Sequence, residues 1–257
     1  MPTEEAVRTV GLTKTFGSRA AVADLDLVVR RGSIFGYLGP NGAGKTTTIK
    51  LLTGLYRPTA GRATVLGTDV AADRDAVQAR IGYLPGDFAG YPDHTGRRFL
   101  TLLGSLRGGV DGHYVHELAE RFHLDLDRRL GTLSHGNRQK VGIIQAFMHR
   151  PDLVVLDEPT NGLDPLMQHE FLSLLRETRA AGATVLLSSH VLSEVSAVAD
   201  DVGILAEGRL LATRSMSRLR EESARRIDLR FRTRCPPGPS ERSRRCTASR
   251  WTGSRLT

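Results

Sequence analysis

Short apolar runs without polar alternation recur along the chain, and each is bounded by glycine, proline or a charged residue. The main runs are residues 34–38, 153–156 and 184–187. Such runs are typical of strands buried on both faces of a parallel sheet. Asp164 and Pro165 are typical of the cap and first residue of a helix, and apolar residues follow them at helical spacing. The pattern predicts an α/β fold.

The beginning of the chain has a different pattern. Residues 7–10 and 25–29 resemble half-exposed strands, with a turn at residues 17–18 between them, and residues 62–70 resemble a short strand pair. From about residue 87 to 150 the strand pattern disappears and helical periodicity replaces it. The chain is therefore expected to carry a β-rich beginning and a helical region inside the α/β core.

Composition limits the class of protein. The chain has 257 residues, of which 40% are hydrophobic and 25% charged, as in ordinary soluble globular proteins. No apolar stretch approaches the ~18 residues of a membrane-spanning helix. The acidic first residues lack the apolar segment of a signal peptide. Cysteine occurs only at Cys235 and Cys246, which excludes a disulfide framework for the core.

Residues 233–257 differ from everything before them. They contain six arginines and one glutamate, few aliphatic residues and the only tryptophan of the chain. Most of the formal charge of +8 therefore lies in this segment, so charge does not indicate a nucleic-acid partner for the body of the protein. We expect a disordered basic tail. The abrupt change also resembles a shift of reading frame in an arginine-rich coding sequence, and this alternative stays open.

A phosphate-binding loop is predicted directly after residues 34–38. Residues 39–46 fit the pattern G-x-x-x-x-G-K-[ST], in which glycines allow backbone N–H groups to face phosphate oxygens and the following helix adds its dipole. Lys45 is expected to reach the β- and γ-phosphates, and the hydroxyl of Thr46 to bind Mg²⁺. A glycine turn with an incidental lysine is the alternative, which the preceding strand and following helix disfavour. The predicted nucleotide contacts of the loop are Gly39, Pro40, Asn41, Gly42, Ala43, Gly44, Lys45, Thr46 and Thr47.

Two acids follow the apolar run 153–156. Asp157 and Glu158 stand where a strand ends, at the sheet edge where α/β proteins bind their ligands. Asp157 is expected to hold Mg²⁺ through water, and Glu158 to polarise or deprotonate an attacking water. Two acids that compensate a helix dipole are the alternative, which the phosphate loop disfavours. His190 also follows a buried run, but a histidine in such a place is more often merely hydrogen-bonded than catalytic.

These elements, together with Leu-Ser-His-Gly-Asn at residues 133–137, resemble the ATP-binding cassette of ABC transporters. The resemblance extends over residues 7–219. It implies an α/β fold with a P-loop NTPase (RecA-like) core, an antiparallel β subdomain and an inserted α-helical subdomain at about 87–150. It also implies that residues 1–232 form the ATP-binding domain.

The resemblance further implies roles for single residues. His190 resembles the switch histidine, which acts on the γ-phosphate beside Lys45 and Glu158. Ser134 and Gly136 would bind the γ-phosphate of ATP held by a second cassette, so that a homodimer or a pair of cassettes sandwiches two nucleotides head to tail. Independently, Ser134 is typical of a helix N-cap, and a helix N-terminus suits a phosphate. Phe16 stands where the family stacks an aromatic on adenine; packing into the β subdomain is its alternative.

Three departures from the family pattern stand out. The family expects a glutamine that reaches Mg²⁺ after an apolar strand, but here Gly86 and Asp87 follow, so Asp87 or a water would take its place. His135 and Asn137 replace the commoner glycine and glutamine. Arg98 stands where relatives often carry glutamate, on a stretch that faces the membrane partner in the family.

The overall pattern most resembles bacterial cassettes paired with a separate exporter-type permease, of the drug and antibiotic export (daunorubicin-resistance-like) group. It predicts an ATPase subunit that binds ATP and Mg²⁺ at the cytoplasmic face of the membrane and drives export through a separately encoded permease, with no nucleic-acid partner. The alternatives are a soluble regulatory ABC ATPase that acts without a permease, and a hydrolysis-impaired cassette. The sequence does not identify the exported substrate.

Overall fold

A computed structural model describes residues 4–218. The predicted domain boundary at residue 232 and the predicted basic tail at 233–257 both lie outside the described residues. In chain order the strands are β1 (Glu5–Phe16), β2 (Arg19–Leu25), β3 (Val28–Arg30), β4 (Ile34–Leu38), β5 (Ala60–Val65), β6 (Thr68–Asp69), β7 (Ile81–Leu84), β8 (Leu153–Asp157), β9 (Thr184–Ser189), β10 (Asp201–Ala206) and β11 (Arg209–Ser215). The helices are α1 (Lys45–Leu52), α2 (Arg74–Arg80), α3 (Gly96–Leu106), α4 (Gly112–Arg121), α5 (His135–Phe147), α6 (Pro165–Ala180) and α7 (Leu192–Val198), with a 3-10 turn at Leu130–Thr132.

The central sheet has the strand order β11-β10-β4-β9-β8-β7. The strands from β10 to β7 are mutually parallel, and β11 pairs antiparallel with β10. The three predicted apolar runs are β4, β9 and β8, which are neighbours in this sheet and almost completely buried. Their carboxyl ends therefore meet at one edge, and the predicted α/β fold is confirmed.

The second sheet is antiparallel, with the order β2-β1-β5-β6 and β3 also paired with β1. The predicted turn lies at Gly17, with a φ of 59°. The predicted strand at 25–29 is interrupted, because β2 ends at Leu25 and β3 begins at Val28. The carboxylate of Asp26 accepts the N–H of Gly11 at 2.7 Å there, so a side chain replaces a backbone ladder bond. An antiparallel β subdomain is thus present.

The region from α3 to α5 is helical, as the sequence pattern predicts. Val141 and Ile144 of α5 and Met148, which follows it, are buried, as are most residues of the second half of this helix. The segment entering α3 is bound through its backbone to the segment that precedes α5: residues 92, 94 and 97 exchange hydrogen bonds of 2.8–2.9 Å with residues 131, 130 and 126. This pairing connects the segment before α3 to the segment before α5.

The predicted helix after Asp164 is α6. The side chain of Asp164 accepts the N–H of Met167 at 3.0 Å, as an N-cap does. The helix ends at Ala180, and Gly182, with a φ of 96°, turns the chain into β9. Within residues 4–218, no helix combines the length and apolarity needed to cross a membrane.

Candidate functional site

The predicted phosphate loop lies between β4 and α1, at the carboxyl edge of the central sheet. Gly42 and Gly44 have φ values of 79° and 105°, which glycine adopts without strain. A Cβ at Gly44 would also clash with the carbonyl oxygen of Ala21. The strand–loop–helix arrangement inferred from the sequence is therefore the one observed, and two of its glycines have a backbone that disfavours any other residue.

Lys45 points back into this loop. Its side chain is only 6% exposed, and Nζ donates to the carbonyl oxygens of Gly39 at 2.6 Å and Pro40 at 3.2 Å. Nζ also lies 3.1 Å from Oε1 of Glu158. A buried cation is thus held where the loop and the acidic strand end meet, and the sequence-predicted lysine and acid are brought together.

Asp157 is the last residue of β8 and is 1% exposed. Its Oδ1 accepts a hydrogen bond of 2.6 Å from the hydroxyl of Ser188, which lies beside it on β9. The Ser188 oxygen in turn accepts the N–H of Glu158 at 3.1 Å. One buried serine therefore fixes both acids. Sequence reasoning missed it, although a serine pair between an apolar run and His190 was a visible signal.

Glu158 connects two other predicted residues. Its backbone is left-handed, with a φ of 48°, which is uncommon for a residue other than glycine. Its Oε2 lies 2.8 Å from Nδ1 of His190, while Oε1 faces Lys45. The carboxylate therefore lies between a cation and an imidazole. This geometry suits a base that is held in place by its neighbours.

A cavity of about 750 Å³ extends along the loop. Its lining includes residues 40–47, Glu158 and Phe16. Phe16 is 49% exposed, and its ring meets Tyr56 edge-on with centroids 5.6 Å apart. The ring is therefore available to a ligand in the same cavity as the loop. A volume of this size lies within the usual range for small-molecule and cofactor sites.

Ser134 and Gly136, which the resemblance assigns to the nucleotide of a second cassette, lie away from the loop cavity. Ser134 caps α5 by accepting the N–H of Asn137 at 3.3 Å, and neither it nor Gly136 lines the loop cavity. A Cβ at Gly136 would clash with the carbonyl oxygen of Gly162. The buried Gln139 donates to the carbonyl oxygen of Pro159 at 3.1 Å, a contact that sequence reasoning missed. The start of α5 is therefore packed on the turn that follows the acidic pair.

The departures from the family pattern have clear positions. Gly86 lies against the acidic strand end, because a Cβ built there would be 3.6 Å from the Asp157 carboxylate. Asp87 follows as an exposed residue. His135 and Arg98 are exposed at the starts of α5 and α3, where a ligand or a partner could reach them.

Comparison with known proteins agrees with this geometry. The sequence profile described as ABC transporter matches residues 22–161. The chain is 35% identical to the bacitracin transport ATP-binding protein of Bacillus licheniformis over 228 residues, 88% of this chain and 74% of that one. It is 39% identical to the daunorubicin/doxorubicin resistance ATP-binding protein of Streptomyces peucetius over 213 residues, 80% of this chain and 64% of that one.

Solved structures give the same result for the fold. A solved ATP-binding subunit of an ABC transporter superposes with a TM-score of 0.77 at 31% identity, covering 85% of this chain and 93% of the other. Because the superposition covers most of both chains, it extends over most of the cassette. The chain therefore belongs to the ABC transporter family, as an ATP-binding subunit with the fold of the family's ATPases.

Proposed function

We propose that this chain is the ATPase that drives export of a substrate through a separately encoded membrane permease, by closing head to tail on a second cassette when ATP binds. The observation that carries the proposal is the Glu158 carboxylate held between Lys45 Nζ, at 3.1 Å, and His190 Nδ1, at 2.8 Å, at the mouth of the phosphate loop. In this arrangement Glu158 would act as a base beside the cation that would face the terminal phosphate, which supports the proposal.

Binding of the nucleotide rests on the loop. Backbone N–H groups among residues 41–47 and the ammonium of Lys45 would supply positive charge for a triphosphate, while the N–H of Gly39 is bound to the carbonyl oxygen of Ser189. Phe16, exposed in the same cavity, would stack on the adenine ring. Because Nζ of Lys45 already lies among loop carbonyl oxygens, binding would exchange these partners for phosphate oxygens.

Hydrolysis would use groups that are already in position. Glu158 would take a proton from the attacking water, and His190 would orient Glu158 and contact the γ-phosphate. Lys45 would stabilise the charge that develops on the transferred phosphoryl group. Ser188 would keep the acids in place without contacting substrate.

The residues present fit a magnesium ion. Thr46 and Asp157 offer hydroxyl and carboxylate oxygens, the ligands that Mg²⁺ prefers. Within residues 4–218 no three His, Cys, Asp or Glu side chains are grouped to hold a metal. When bound, Mg²⁺ would neutralise charge on the β- and γ-phosphates.

The second half of each site would come from another cassette. Ser134 and Gly136 lie outside the loop cavity of their own chain, while Ser134 presents the N-terminus of α5 to solvent. This arrangement supports their binding of a γ-phosphate held by a partner chain. The partner would be a second copy or a related cassette, and no nucleic acid is needed.

Export as the direction of transport is supported by the relatives, which include ATP-binding proteins of bacitracin transport and of daunorubicin/doxorubicin resistance. The chain would then act at the cytoplasmic face of the membrane.

The domain organisation follows from the same proposal. Residues 1–232 would form the ATPase, with the helical subdomain at 87–150, and residues 233–257 would form a basic tail.

The test is co-expression with a candidate permease, purification of the complex from membranes and measurement of phosphate release. We expect co-purification and turnover that Lys45→Ala abolishes, whereas Lys50→Ala, on the same helix, retains it. A soluble regulatory ATPase would show turnover without a membrane partner. A complex without turnover, despite ATP binding, would identify a hydrolysis-impaired cassette.

A further inference from the structure

The turn between β10 and β11 forms part of the wall of the nucleotide cavity. Its two central residues, Glu207 and Gly208, both line the cavity. The N–H of Gly208 donates to the carbonyl oxygen of Ala43, in the phosphate loop, at 2.9 Å. Its carbonyl oxygen accepts the N–H of Ala23, in β2, at 2.9 Å. The turn is therefore fixed to the phosphate loop on one side and to the β subdomain on the other.

Glu207 is an unusual residue for this turn. The φ values of Glu207 and Gly208 are 50° and 75°, and two positive values in a two-residue hairpin are typical of a type I′ turn. Such turns favour asparagine, aspartate or glycine at the first position, since a longer side chain is strained there. A glutamate at a strained position beside a cavity suggests that its side chain has a function.

Glu207 is exposed, and within the described residues neither a hydrogen bond nor an ion pair engages its carboxylate. The other carboxylate of the cavity, Glu158, is engaged by Lys45 and His190. A free acid beside a triphosphate site repels the phosphates, since like charges oppose each other. A part of the ligand that donates hydrogen bonds would instead be a favourable partner for this carboxylate.

We propose that Glu207 accepts a hydrogen bond from the 2′-hydroxyl group of the nucleotide's ribose. The inference rests on the proposed ATP site, in which the loop holds the phosphates and Phe16 the base. Glu207 is anchored beside the loop, so the sugar between phosphates and base is the part within its reach. Hydroxyl groups are donors that suit a carboxylate, and acidic residues read ribose hydroxyls in dinucleotide-binding folds. The chain would thus select ribonucleotides over 2′-deoxyribonucleotides.

The experiment compares the affinity of the purified chain for ADP and for 2′-deoxy-ADP, which are not hydrolysed, by titration calorimetry with Mg²⁺. We expect the wild-type chain to bind ADP about tenfold more tightly, the scale of one hydrogen bond to a charged group. Glu207→Asn should remove this preference. It should also raise the melting temperature, because asparagine suits the turn. Glu117→Asn, an exposed acid on α4, should retain the preference.

The outcomes separate this inference from the proposed function. If neither nucleotide binds, the proposed ATP site itself is wrong. If ADP binds but 2′-deoxy-ADP binds equally well, or if the preference survives in Glu207→Asn, Glu207 does not read the ribose although the ATP site stands. A preference lost in Glu207→Asn, with a folded and more stable chain, establishes the role, because damage to the fold could not then explain the loss.

Discussion

The hydroxyl of Ser188 is bound to the carboxylate of Asp157 at 2.6 Å, between two neighbouring strands and out of contact with solvent. Replacing Ser188 by alanine would leave a buried carboxylate oxygen and the N–H of Glu158 without this partner. We expect Ser188→Ala to lower the free energy of unfolding by about 1–3 kcal/mol. Chemical denaturation measures this change.

The same substitution should also reduce turnover, because both acids lose the group that positions them. Ser105→Ala is the matched control, since that hydroxyl is exposed and bonds only the backbone of its own helix. Ser188→Thr keeps the hydroxyl and should recover part of the activity. If Ser188→Ala had the stability and turnover of the wild-type chain, Ser188 would not be needed to position Asp157 and Glu158.

Glu158→Gln tests the assignment of the base. Glutamine keeps the size of the side chain but cannot accept a proton from water, so turnover should fall by about 10²–10⁴-fold, the usual range for general-base catalysis. ATP binding should persist, and the ATP-bound pair of cassettes should be more stable. Phosphate release and gel filtration in ATP measure these effects. Unchanged turnover would remove Glu158 from the chemistry.

The contact between Gly136 and Gly162 predicts a strong effect from a single methyl group. Gly136→Ala would force the start of α5 away from the turn after the acidic pair, because its Cβ meets a backbone carbonyl oxygen. We expect a loss of about 1–3 kcal/mol, as for other overpacked positions. Gly112→Ala is the matched control: it also lies at a helix start, but open space surrounds it. Equal melting temperatures for the two variants would contradict the prediction.

His149 predicts a dependence of stability on pH. Burial, and to a lesser degree the charge of Arg107, lower the pKa of His149 from 6.5 to about 4. Between these values the unfolded chain binds a proton that the folded chain does not, so stability is complete above 6.5 and falls as the pH drops toward 4. His149→Gln can keep the hydrogen bond to Ile81 but loses this titration.

The measurement is the free energy of unfolding of both chains at about pH 7 and about pH 5. The wild-type chain should lose more stability than His149→Gln over this interval, because carboxyl groups titrate equally in both. An identical loss would show that His149 titrates normally in the folded chain.

Much of the fold was predictable from sequence because its signals are local. The buried strands β4, β8 and β9 are continuous apolar runs, and the phosphate loop is a fixed spacing of glycines, lysine and threonine. Its position at the strand ends follows from the direction of a parallel sheet. Gly44 was predictable for the same reason, since its left-handed backbone serves the loop itself.

The remaining features depend on contacts between distant parts of the chain. Ser188 and Asp157 are 31 residues apart, and Gln139 and Pro159 are 20 apart, so no local pattern joins them. The interruption between β2 and β3 was missed because it involves a hydrogen bond between Gly11 and Asp26, which are 15 residues apart. The propensities of single residues therefore do not predict hydrogen bonds between side chains and groups that are distant in the sequence.

The pairing of residues 92–97 with residues 126–131 is made chiefly of backbone hydrogen bonds, to which the side chains of Arg97 and Asp127 add an ion pair. Every residue type except proline supplies the same N–H and carbonyl groups, so the exposed side chains of this segment, such as that of Arg98, can be exchanged without breaking the connection. Substitutions at exposed positions of this segment would therefore change the surface that it offers to other proteins while its backbone connection to the segment before α5 is kept.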